Sequence, residues 1–395
     1  QTAYGEDIIS RINRVIKSPE EGARLQELVA RQLNELASTL CSDVGTGVDA
    51  IMEMVVVGNT AMHHLSLGLP VRQLALTPFT AAVSQSLDIK ARELGINIAT
   101  GAYVHFPAVI AGFVGSDHLA MLLAAAGYQA DGPVMVIDIG TNTEISLING
   151  QEITTTSCAS GPAFEGGHIK HGMRAASGAI EKLRITRDSI DYQTIDGVSP
   201  IGICGSGVLD AVAQLHLAGI IDGSGRLMGN HARISVNNGQ AEFRLTDKEG
   251  QEGHPAIVIT QQDIRELQLA KAAIRSGIQL LVEMNGFNEE KIKQVVVAGA
   301  FGSYIDLTSA VTIGLLPPLP LNSFQQVGNA AGMGAKIALL STAERKKAGE
   351  IASRIRYIEL ASNPDFKRSF IETSHIGRYW LHHGKREELD YGSHG

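Results

Sequence analysis

Residues 134–150, V-M-V-I-D-I-G-T-N-T-E-I-S-L-I-N-G, restrict the fold more than any other stretch of this chain. Four apolar residues lead into Asp138, a Gly-Thr-Asn-Thr turn reverses the chain, and Ile145, Leu147 and Ile148 belong to a second apolar run ending at Asn149-Gly150. Two short apolar runs around a polar glycine turn predict a β-hairpin. The tip of the hairpin is chemically unusual. Gly140, Thr141, Asn142 and Thr143 crowd backbone N–H groups and small hydroxyls into one turn, which can wrap a phosphate. Asp138, where the buried strand emerges, can hold a hydrated magnesium ion or orient a water for attack on a phosphoryl group. The plainer alternative is an Asp and threonines that only satisfy turn backbone.

A chain of 395 residues with 44% hydrophobic content can build two sizeable cores. Its net charge of −8 leaves no basic footprint for nucleic acid. Cys41, Cys158 and Cys204 are odd in number and far apart, which argues against a disulfide framework or a C-x-x-C metal site and fits a reducing cytoplasm. The first residues carry neither a basic n-region nor an apolar h-region, and no apolar run reaches the roughly 18 residues of a membrane span. The chain opens without Met on a segment ready to be helical and reads as part of something longer.

Apolar spacing predicts helices between residues 6 and 40, then a strand at 51–57 that ends in Gly58-Asn59-Thr60. His63 and His64 are adjacent, not one helical turn apart, so they are expected to face different ways and to bond locally, without a shared metal. Residues 70–100, with Pro70 and Pro78, read as irregular, and 104–109 as a strand. Ala111, Gly112, Gly115 and Ser116 precede an Ala/Leu helix and allow close backbone approach, with Asp117 as its cap. Residues 156–173 form a glycine-broken loop in which Glu165 is the notable charge. Gly205, Ser206 and Gly207 stand at the mouth of a helix, a ready anion site or a simple tight turn. Residues 221–260 read as a peripheral module of short strands. A helix over 261–284, capped by Thr260 or Asp263, carries Lys271 and Arg275 at i and i+4, a spacing usual for a solvated face. A buried strand then runs into Gly299, Ala300, Phe301 and Gly302, and residues 327–340 supply a second small-residue helix.

The order of these parts resembles the actin-like ATPase superfamily of actin, the large heat-shock chaperones and the sugar kinases. The resemblance makes D138-I-G-T-N-T the second phosphate motif and V295-V-V-A-G-A-F-G the adenosine motif, with residues 111–126 and 328–341 as the two connecting helices. It implies an α/β, ribonuclease H-like two-lobed fold with a nucleotide cleft. The expected division is 1–125 for the first lobe and its connecting helix, 126–325 for the second lobe, and 326–395 for the second connecting helix and a return to the first lobe. A small-molecule kinase and a nucleotide-gated assembly module share this superfamily, although no sugar-binding cluster of Asn, Asp and Glu is evident.

Y-G-E-D-I-I-S-R-I, V-V-G-N-T-A-M-H-H-L, G-F-V-G-S-D, I-D-I-G-T-N-T-E-I, S-G-P-A-F-E-G, G-I-C-G-S-G and Q-L-A-K-A-A-I resemble, more narrowly, the ATP-dependent reductive activators of corrinoid proteins. That resemblance implies ATP and magnesium, a corrinoid protein as partner, and an electron donor such as a ferredoxin or reductase, with no nucleic acid or membrane; it leaves a homodimer open. The corrinoid cobalt would be returned from cobalt(II) to cobalt(I) for methyl transfer. For one electron a tenfold shift is about 59 mV, so a shift of roughly 200 mV requires about 5 kcal/mol of differential binding, within reach of a nucleotide-driven clamp. Under this reading Asp138 and Glu165 are catalytic, with magnesium on Asp138 through water. Nucleotide would meet Gly140, Thr141, Asn142, Thr143, Gly205, Ser206, Gly207, Lys271, Gly299, Ala300, Phe301 and Gly302. Ser160 would contact the corrinoid, and the loop 156–173 would switch with the γ-phosphate. Two family features are missing from the residues given: a first Asp-Gly-Thr-Thr phosphate hairpin, and a ferredoxin-like domain whose cysteines ligate a two-iron, two-sulfur cluster.

Overall fold

The computed structural model describes residues 8–125, 131–186, 189–229, 231–246, 256–360, 363–377, 379–382 and 385–388. Tyr4 to Asp7 of the Y-G-E-D segment lie outside them. The chain divides into two compact units, one of residues 1–129, 151–154 and 329–357, the other of 130–150, 155–328 and 358–395. The expected return of everything after 326 to the first lobe is therefore corrected. Residues from Ile358 onward join the second unit, because they complete its core, as described below.

In the first unit, α1 (Ile8–Lys17) and α2 (Glu20–Asp43) precede β1 (Glu53–Val55), shorter than the strand expected at 51–57. Helix α3 (Thr60–Ser66) starts where Asn59 accepts the Met62 N–H at 2.9 Å. A strand the sequence hid, β2 (Leu87–Lys90), pairs antiparallel with β3 (Tyr103–Phe106), which pairs parallel with β1. The connecting helix α4 (Ser116–Ala125) begins five residues later than expected. Its lead-in is packed too tightly for a helix: a Cβ on Gly112 would lie 1.8 Å from the Phe79 carbonyl oxygen, and one on Gly115 2.2 Å from that of Gly58. Asp117 thus sits inside the first turn, accepting the His118 N–H at 2.9 Å.

His63 and His64 do not face apart as their adjacency suggested. Their Nδ1 atoms lie 3.3 Å from each other, while His64 also bonds the Thr60 carbonyl (2.8 Å) and the Ala82 N–H (2.9 Å). Burial lowers the His63 pKa to about 4 and that of His118 to about 3. Both rings are neutral when folded, whereas an unfolded histidine takes up a proton near pH 6.5. Stability is therefore full above pH 6.5 and falls as acid is added toward the folded values. We expect the melting temperature to drop between pH 7 and pH 5, and His118→Leu to drop less over the same step.

The second unit opens with β4 (Val134–Asp138), β5 (Asn142–Asn149) and β6 (Glu152–Ala159), the last beginning among first-unit residues. Then come β7 (Ala179–Ile185), β8 (Ile190–Thr194), β9 (Gly202–Ile203) and α5 (Gly205–Leu217). Next are β10 (Ile234–Asn237), β11 (Gln240–Arg244), β12 (Val258–Thr260) and α6 (Gln261–Met284). The site-bearing end holds β13 (Gln294–Ala298), the short helical turn α7 (Gly299–Gly302), α8 (Leu307–Thr312) and β14 (Phe324–Gln326). Strands β14, β13, β4, β5 and β6 lie side by side in one sheet. Val134, Met135, Val136 and Ile137 are buried without alternation, as a strand between neighbours with both faces covered requires.

Helix α6 starts at a capping box in which the Thr260 hydroxyl takes the Asp263 N–H and the Asp263 carboxylate takes the Thr260 N–H, so both expected caps operate. Back in the first unit, α9 (Ala330–Leu340) crosses α4 so closely that a Cβ on Gly334 would lie 1.8 Å from the Ala120 carbonyl oxygen, and α10 (Thr342–Arg354) follows. Helix α11 (Pro364–Thr373) belongs to the second unit and lies along α6, joined by Ser369 to Gln279 (3.1 Å), Thr373 to Ser276 (2.9 Å) and Gln268 to the Ser374 carbonyl (2.9 Å).

Candidate nucleotide site

The β4–β5 register runs from Val134 opposite Ile148 to Asp138 opposite Glu144, and β13 places Ala298 beside Asp138. Strand β13 ends there, and Gly299 (φ +92°) starts the next turn against the hairpin: a Cβ on it would meet the Ile139 carbonyl oxygen at 2.5 Å and Asp138 Oδ1 at 2.7 Å. Only glycine permits that contact. The Asp138–Thr141 tip and the Gly-Ala-Phe-Gly turn are thus side by side.

Glu144 is a candidate that reading by spacing missed; only the strand register reveals it. Residues directly opposite in an antiparallel pair share a face, so Asp138 and Glu144 bring two carboxylates together, an arrangement that is unfavourable without a compensating donor or cation. Ser157 supplies one donor, its hydroxyl reaching Glu144 Oε1 at 3.1 Å. Oxygen-only donors of this kind fit magnesium, which takes one or two carboxylates and completes its shell with water and phosphate.

From β6 the chain enters the glycine-rich loop, which is more compact than a free linker. Cβ atoms on Gly166 and Gly172 would collide with the backbone of Met173 and Gly166 at 2.6 and 2.0 Å. Glu165 is exposed and accepts the Thr141 hydroxyl at 2.6 Å, a direct link from loop to hairpin tip. Phe164 stacks on Phe301 of the glycine turn, ring centroids 4.5 Å apart, which ties the same loop to the other half of the site. Ser160, expected to meet the corrinoid, is turned toward the hairpin. It is only 5% exposed, and its Oγ lies 2.8 Å from the Gly140 carbonyl oxygen and 2.8 Å from Thr143 Oγ1.

Two further expectations are corrected. Gly205, Ser206 and Gly207 are buried, and a Cβ on Gly205 would lie 1.7 Å from the Phe164 carbonyl oxygen; the glycine there admits the loop backbone instead of leaving an open helix mouth. Lys271 and Arg275 are not a solvated face, since each is 1% exposed. The Lys271 ammonium donates to the carbonyls of Thr373 (2.6 Å) and His375, and Arg275 pairs with Glu289 at 2.7 Å. Lys271 is accordingly engaged with the end of α11.

All three cysteines are buried, and burial raises the Cys158 thiol. Among the described residues no group of three or more His, Cys, Asp or Glu could hold a metal ion. The residues present therefore do not fit an iron–sulfur cluster. Beyond the glycine turn, an open groove of about 560 Å³ is lined by Asp306, Thr308 and Thr312 of the α8 segment, Asp210 and Gln214 of α5, and Tyr192 of β8. Asp210 forms part of its floor, taking the Ser309 hydroxyl at 2.6 Å, and burial raises its carboxyl pKa.

Residues 132–382 match the family model described as the C-terminal domain of RACo, the ASKHA domain, and residues 1–129 match the RACo middle region. The chain belongs to the RACo family. Its fold is accordingly the actin-like ATPase fold. Among relatives, the corrinoid activation enzyme RamQ of Eubacterium limosum is 36% identical over 388 residues, covering 95% of this chain and 65% of the relative. The [Co(II) methylated amine-specific corrinoid protein] reductase of Methanosarcina barkeri is 28% identical over 289 residues, 67% of this chain and 50% of the relative. A solved structure titled reductive activator for corrinoid, iron–sulfur protein superposes with a TM-score of 0.85 at 39% identity, covering 95% of this chain and 60% of that one. The RACo-family chain described here thus spans about half to two thirds of the length of these proteins. No helix among its described residues is long and apolar enough to cross a membrane.

Proposed function

We propose that this chain is the nucleotide-using part of an ATP-dependent reductive activator, which returns the cobalt(II) of a partner's corrinoid to cobalt(I). The single observation carrying the nucleotide half is the contact of Gly299 with the Asp138 carboxylate, which joins a phosphate-type hairpin to an adenosine-type turn. The corrinoid half rests on the named activities of the relatives. Phosphates would lie on the hairpin tip at Gly140, Thr141 and Asn142, and adenine on the Gly299–Gly302 turn toward the α8 groove. Asp138, with Glu144 opposite, would hold magnesium through water; bound there, the ion would neutralise phosphate charge. Glu165, held by Thr141 at the tip, would orient the attacking water. Electrons would come from a ferredoxin or reductase by way of a cluster outside these residues, because the buried cysteines here cannot ligate one.

The test uses the full-length protein with ATP, a reductant and a candidate corrinoid protein. Formation of ADP that requires the corrinoid protein, together with the ultraviolet-visible change from cobalt(II) to cobalt(I), is the expected result. Formation of ADP that depends instead on an added hydroxyl metabolite would point to the kinase alternative.

A further inference from the structure

We infer that Ser160 is a positioning residue that turns the backbone of the hairpin tip toward phosphate. This rests on the nucleotide reading above. The Ser160 hydroxyl lies 2.8 Å from the Gly140 carbonyl oxygen and 3.2 Å from that of Thr141, and the next N–H, of Gly161, donates to the Thr141 carbonyl at 3.0 Å. Ser160 has one proton to give; the Thr143 hydroxyl, 2.8 Å away, donates to its oxygen and completes the count. Two successive carbonyls of the tip are thereby drawn to the side of the loop. In a trans peptide the C=O and the following N–H point in opposite directions. Holding the carbonyls of Gly140 and Thr141 on the Ser160 side therefore aims the N–H groups of Thr141 and Asn142 at the other face. Successive N–H groups aimed one way form an anion-binding concavity.

The same loop carries Glu165 and Phe164, one bonded to the tip and the other stacked on the glycine turn, so Ser160 fixes the tip where both halves of the site converge. The loop thus bears on both halves of the nucleotide site, and its serine hydroxyl is turned to the hairpin.

The experiment measures ADP and adenosine affinity of the 395-residue chain by calorimetry and competition, alongside its melting temperature. Ser160→Ala should weaken ADP by about tenfold, the size of one lost hydrogen bond to an anion-orienting group, while adenosine, which lacks phosphate, changes less than about twofold. Ser160→Thr keeps the hydroxyl and should restore ADP affinity to within about threefold; it carries the test if the alanine variant does not fold. Equal loss for ADP and adenosine, unchanged ADP affinity in the alanine variant, or no recovery in the threonine variant would each overturn the role of Ser160 alone. Absence of ADP binding to the unaltered chain would overturn the nucleotide reading, and this inference with it.

Discussion

Asp138→Asn should leave nucleotide affinity within about threefold and cut ATP turnover in the full-length protein by a factor on the order of 10²–10³, the usual cost of removing one group that stabilises developing charge. The exchange keeps the shape of the side chain and removes its charge. Asp138 faces Glu144 across the hairpin and lies close against Gly299, so the amide removes one of two like charges on that face. The neutral amide should therefore leave the melting temperature unchanged or raise it. A turn-capping Asp makes the opposite forecast, normal turnover with reduced thermal stability, so steady-state kinetics and a melt together separate the two. Full turnover in the variant would sink the catalytic role.

Glu289→Ala is expected to destabilise the second unit by about 3–5 kcal/mol, because it strands a charge in the core. Arg275 is 1% and Glu289 5% exposed, and one guanidinium nitrogen reaches both carboxylate oxygens at 2.7 and 2.8 Å. Buried pairs of this kind contribute little over an apolar replacement, since desolvation offsets most of the attraction, but losing one partner is costly. A double variant, Arg275→Met with Glu289→Leu, should accordingly recover most of the loss. Urea unfolding of the single and double variants measures both effects, and a single variant within 1 kcal/mol of the unaltered protein would show that the core admits water at Arg275. The pair also matters to the site, because Glu289 leads into β13, the strand that delivers the glycine turn.

The hairpin was legible in the sequence because two apolar runs, the second broken only by Ser146, flank a turn of small polar residues and glycine. Helix α6 was legible to its last residue because Thr260 and Asp263 announce its start. Other features depend on what a distant part of the chain does. The i, i+4 spacing of Lys271 and Arg275 shows that they share a face, yet whether that face meets water is decided by residues 289 and 373–375, remote in sequence. Ser160 is similar: a serine in a glycine-rich loop reads as available, and only the fold reveals that its hydroxyl turns inward to two carbonyls. Glu144 escaped notice because its nearness to Asp138 follows from strand register and not from any motif. Strand β2 is four residues long with one apolar alternation, too little pattern to distinguish from a loop.

The attachment of α11 to α6 bears on how this protein can be cut. A piece ending at Gly328 would retain the hairpin, both glycine-rich turns and strands β4, β5, β6, β13 and β14 of the sheet, and by motif it would look complete. It would also contain Lys271 in the middle of α6 with the carbonyls of Thr373 and His375 gone. Helix α11 also covers that face of α6, so its loss would expose the apolar side chains packed there and take two acceptors from the ammonium, at a cost of several kcal/mol against a total stability of about 5–15 kcal/mol. The cover that α11 gives α6 thus places the end of the shortest self-standing piece of the second unit beyond residue 375, well past the last recognisable nucleotide motif.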